Sequence, residues 1–146
     1  MLLAVGGLNQ TKSELLNLTS WDWKPTTSYP SDTPLHSFSI VSYKKNFYIT
    51  GGVRKLKTSE ILKFHTKSET WKQLGFLNAA RSGHFMTIAK DKIYLVGDSK
   101  NIEICSLDKL GCINIVNTNF TKYQFPQIYN HHSFGCPTGN LTISVI

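Results

Sequence analysis

Cys105 and Cys112, seven positions apart, are the residues of this chain whose type and spacing point most directly to chemistry. On facing strands of one hairpin they could form a disulfide if their Cα atoms come within about 7 Å. The alternative is a pair of buried free thiols serving as small apolar fillers. Cys136 is left over, free or paired elsewhere. Zinc binding by Cys105, Cys112, Cys136 and His132 is not expected, because the close C-x₂₋₄-C spacing of such sites is absent. Four Asn-X-Thr sequons begin at Asn9, Asn17, Asn119 and Asn140, and would mark glycosylated surface if the parent protein is secreted. With the cysteine spacing they tilt the expected compartment towards the outside of the cell rather than the cytoplasm. There is no phosphate-cradling glycine loop, no G-x-S-x-G elbow and no paired acid and base. No catalytic, cofactor-binding or metal residue is therefore assigned, and no enzyme is expected.

The elements that would position these residues repeat. Apolar runs into a glycine occur at Leu2–Gly7, Phe47–Gly52 and Ile93–Gly97, at the interval of roughly 45 residues that marks propeller blades. Leu16 to Trp23 spans seven positions, as does Phe64 to Trp71, and Cys105 to Cys112 holds the same interval with different chemistry. Ser39–Val41 before Phe47–Gly52 aligns with Phe85–Ile88 before Ile93–Asp98. Each unit reads as strand, tight turn, strand, loop, strand, turn, strand. Polar breaks at Lys44-Lys45-Asn46, Lys90-Asp91-Lys92 and Thr138-Gly139-Asn140 supply hairpin connections. A helix over Glu60–Leu74 is the competing assignment, but Thr66, Ser68 and Thr70 interrupt it and the apolar spacing fits period 3.6 poorly.

The expected fold is therefore all-β, a partial β-propeller of about three blades of four antiparallel strands. Its divisions are an incomplete first blade at 1–35, a second at 36–80, a third at 81–125 and the start of a fourth at 126–146. The first blade lacks its innermost strand in this register. Since propellers ordinarily close with at least four blades, the chain is expected to be a piece of a longer protein or of an assembly. Open blade faces would invite self-association.

The net charge of +7 comes from 16 Lys and Arg against 9 Asp and Glu, spread along the chain with small clusters at Lys44-Lys45 and Arg54–Lys57. No recognition helix, aromatic ribonucleoprotein motif or long basic run accompanies it, so the excess reads as solubilising loop charge rather than nucleic-acid binding. No stretch approaches the roughly 20 apolar residues of a membrane span. Met1–Val5 leads into the first glycine pair without a charged n-region or cleavage site, so this run is not expected to be a signal peptide.

Arg81-Ser82-Gly83-His84 followed by Asp91–Gly97 resembles the first two strands of the kelch repeat, of the galactose-oxidase-like propellers. Phe64–Trp71 is similar to that family's turn between strands three and four. Asp98 in place of a second glycine, and the third copy's lack of tryptophan, depart from the pattern, while the cysteines with Pro126 resemble divergent secreted or surface members. The resemblance implies a protein-interaction module without catalysis, binding an unidentified protein partner through its loops. The substrate-recognition part of a ubiquitin-ligase adaptor is the alternative it implies. A copper oxidase is disfavoured, because His131 and His132 are adjacent while His36, His65 and His84 lie in three different strands. On this resemblance Arg81, Ser82, Arg54 and Lys55 are the partner-binding candidates. Arg81 either forks onto a partner carboxylate or hydrogen-bonds carbonyls of the next blade.

Overall fold

A computed structural model describes residues 1–99, 101–108, 111–116, 133–135 and 142–145, and every regular element among them is a strand. The first sheet holds β1 (Leu2–Val5), β2 (Ser13–Leu16) and β3 (Trp23–Thr26). The second runs β4 (Ser39–Tyr43), β5 (Asn46–Thr50), β6 (Glu60–His65) and β7 (Thr70–Phe76) in chain order. The third does the same with β8 (Phe85–Ala89), β9 (Lys92–Val96), β10 (Asn101–Ser106) and β11 (Cys112–Val116). These are antiparallel four-stranded blades, with β6 and β7 where a helix was the rival.

The sequence repeat is a repeat of register. Ser42, Phe47, Phe64 and Trp71 stand side by side across the second blade. Ile88, Ile93, Cys105 and Cys112 form the matching row in the third, and Leu2, Leu16 and Trp23 in the first. The seven-residue interval therefore spans one hairpin between cross-strand partners, the contacts through which a sheet is stabilised. Lys44 and Lys45, and likewise Lys90 and Asp91, turn the inner hairpins with φ between 48° and 59°, the primed-turn geometry that matches strand twist.

One expectation is corrected. The segment assigned to a fourth blade instead enters the first, where β12 (Ser133–Gly135) and β13 (Thr142–Val145) join the sheet in the order β12-β13-β1-β2-β3. Val145 pairs with Leu2 and Thr142 with Val5, so β13 fills the innermost position that appeared vacant, and it lies against β4 as β4 lies against β8. The physical reason is the free edge of β1, whose amides and carbonyls need a partner strand. Cys136, Pro126, Asn119, Asn140, the turn at 138–140 and the His131-His132 pair lie outside the described residues.

Apolar side chains fill the seams between blades. Leu3, Val5, Leu15, Tyr29, Leu35, Phe47, Leu62 and Phe64 close the first seam, where Phe64 meets Trp71 with ring centroids 5.0 Å apart. Tyr48, Ile61, Met86, Ile93, Leu95 and Cys105 close the second, with Cys112 against it. Trp71 caps its seam by donating Nε1–H to the Thr27 carbonyl of the preceding connection, 2.8 Å away. Trp23 is 47% exposed, because its row faces away from the second blade.

Candidate docking face

At one end of the blades the connections gather: the loops leaving β1, β5 and β9, and the crossings from each outer strand to the next blade. Close backbone approach sets their positions. Gly51 has φ +58°, and a Cβ there would lie 2.3 Å from the Arg81 carbonyl oxygen, so only glycine fits. The same oxygen accepts from Gly52 N at 2.7 Å, tying the crossing to the loop above β5.

Arg81 does not reach this surface. Its side chain is fully buried, and its guanidinium donates to the Gly97 carbonyl at 2.8 Å and the Asn101 carbonyl at 2.7 Å. Glu103, equally buried, pairs with it at 3.3 Å and also accepts from the Asn78 amide. Of the two roles open to Arg81, carbonyl binding is the one the structure shows, with the carbonyls in its own third blade rather than in the next. Its assignment as a partner anchor is corrected, since a fully buried guanidinium held by an ion pair and two carbonyls is out of reach of an outside carboxylate.

Ser82 and Arg54 are also engaged. Ser82 donates its amide to Asp98 at 2.6 Å and its hydroxyl to the same oxygen at 3.3 Å. Lys57 reaches Asp98 from the second blade at 2.7 and 2.9 Å. Desolvation pushes the Asp98 carboxyl up, but the Lys57 and Ser82 hydrogen bonds together hold it below the usual range. The residue standing in place of a second glycine, with φ 53°, thus clips the blades together. Arg54 pairs with Glu60 at 2.6 Å and lies over the Tyr29 ring, 5.6 Å from its centroid. Lys55 alone of the four candidates is exposed and enters no ion pair among the described residues. Beside it Leu56 is 81% exposed, and Leu8 at the tip of the first blade's loop is 45% exposed. Neither leucine was singled out from the sequence, where an apolar residue in a loop carries no mark of its exposure.

Cys105 and Cys112 face the second blade in the row that holds Phe64 and Trp71 one blade earlier. Their sulfurs lie at a bonding distance of 2.07 Å, with Cα atoms 4.0 Å apart. Glu103 lies within 4.8 Å of both sulfurs, but its charge is met by Arg81, and bonded sulfurs offer no thiolate to a metal. Closing this short loop should contribute about 2.5 kcal/mol by restricting the unfolded chain. Reductant is expected to lower the stability measured by urea unfolding by that amount. Free thiols at both positions by non-reducing mass spectrometry, with an unmoved midpoint, would refute the bond.

No family model matches the chain. It is 23% identical over 93 residues to Kelch-like protein 24a of Danio rerio, a match spanning 64% of this chain and 15% of that protein. The solved structure of YjhT superposes with a TM-score of 0.63 at 13% identity, covering 74% of this chain and 46% of YjhT. The fold, the register of its repeats and these likenesses define a β-propeller fold similar to that of kelch-type proteins, of which the described residues form three blades. The chain spans under half the length of either relative, and the likeness to YjhT speaks for fold alone.

Proposed function

We propose that the chain is a non-catalytic protein-interaction module that docks a partner through the loop ends carrying Leu8, Lys55 and Leu56. The observation that carries this is the Lys55-Leu56 tip: an exposed cation beside an apolar side chain left 81% in solvent. Around it Arg54 is held by Glu60, and Lys57 and Ser82 are held by Asp98. Rigid blades below and an unpaired tip above suit recognition with little ordering cost, and an acidic segment with an apolar anchor is the complement. No helix among the described residues is long and apolar enough to cross a membrane.

Peptides selected against the chain from a displayed random library should share an acidic residue beside a large apolar one. Their affinity should fall about tenfold or more, near 1.4 kcal/mol, for the double variant Lys55→Glu/Leu56→Asp. Both positions are exposed, so thermal unfolding should hardly change. Peptides that bind the double variant equally well would overturn this function.

A further inference from the structure

Asn17 lies at the end of β2 remote from the Leu8 loop, in the turn that leads to β3. Its backbone fixes that turn: Asn17 N donates to the Asp22 carbonyl at 3.0 Å, and the Asn17 carbonyl accepts from Trp21 N at 2.8 Å. Its side-chain oxygen accepts from Thr19 N at 2.9 Å, and among the described residues no protein group holds its Nδ2 amide. Asn17 and Thr19 are both exposed. In the same turn Trp21 leaves 72% of its surface in solvent, an apolar exposure for which the fold supplies no cover. The sulfurs of Cys105 and Cys112, at bonding distance, are a second and independent sign of an oxidising compartment.

From these we infer that Asn17 is an N-glycosylation site and that the chain matures where oligosaccharide transfer and disulfide formation occur together. In the transfer, Asn17 Nδ2 bonds to the anomeric carbon of an oligosaccharide carried on a polyprenol diphosphate. The sugar–phosphate bond breaks, the diphosphate leaves with its electron pair, and the amide proton passes to a base of the transferase. A folded site must keep the attached sugar in water, as this turn does, with Trp21 beside it to be shielded by the sugar's C–H faces. A glycan here leaves the opposite loop ends open, whereas one at Asn9, also exposed, would stand beside Leu8.

The full chain, produced behind a cleavable secretion signal in eukaryotic cells, should be treated with peptide N-glycosidase in heavy-oxygen water and mapped by mass spectrometry, using cell lysate and medium together. Labelled aspartate at position 17 in most molecules is expected. Thr19→Ser should retain the label, while Thr19→Ala and Asn17→Gln abolish it. Position 17 unlabelled in both fractions, including a label confined to position 9, would overturn the inference.

Discussion

Replacing Arg81 with methionine should cost about 3–5 kcal/mol of folding stability, because it strands the Glu103 carboxylate in the interior without its cation. Both side chains have no solvent exposure, so water cannot stand in for the missing partner. The Gly97 and Asn101 carbonyls lose their donors as well, which adds to the penalty. The second blade shows the apolar solution to the same position. Aligning Ile40, which pairs with Ile49, on Met86, which pairs with Leu95, sets Arg81 on Leu35; the seven-residue rows set Glu103 on Leu62. Both leucines are buried in the first seam. The double variant Arg81→Leu/Glu103→Leu should therefore regain most of the loss, since a buried ion pair often exchanges for well-packed apolar side chains at little cost. Urea unfolding of the single and double variants measures both. A single variant within about 1 kcal/mol of the parent, below the usual cost of an unpaired buried charge, would show that Glu103 finds another partner.

Acid should loosen the second seam through His84. This residue is buried, its Nε2 lies 2.8 Å from Thr50 Oγ1, and its Nδ1 has no hydrogen-bond partner. Desolvation, with the nearby Arg81 cation adding to it, lowers its pKa from 6.5 to about 4, against a weaker opposing pull from Asp98. Between those two values the unfolded chain binds the proton and the folded chain does not, so stability falls as pH drops from 6.5 to about 4. Below that both states are protonated and this contribution is spent. At 1.36 kcal/mol per pKa unit the full loss is on the order of 3 kcal/mol. Unfolding free energies taken from pH 7 to pH 4 should show this slope. His84→Gln cannot charge and should flatten it, even though the variant starts from a lower stability. A slope equally steep in the variant would assign the acid sensitivity to other groups.

How much of this could be seen in the chain alone follows from the range of each interaction. The strands, the inner hairpin turns and the pairing of Leu16 with Trp23, Phe64 with Trp71 and Cys105 with Cys112 are set by neighbours a few residues apart, and periodicity exposes them directly. Three further features depended on distant approach. Leu2 and Val145 stand at opposite ends of the chain yet pair, and no local pattern announces which edge an unpaired strand will fill. Arg81 carries a motif that in sequence serves equally for an exposed anchor or a buried tie; Glu103, 22 residues later, decides between them only once β10 is placed beneath it. Lys55 stands out as the unpaired cation because Arg54 and Lys57 on either side find Glu60 and Asp98. Local backbone chemistry thus specified the blades, whereas the placement of charge, buried or free, emerged only when separate blades met and excluded water between them.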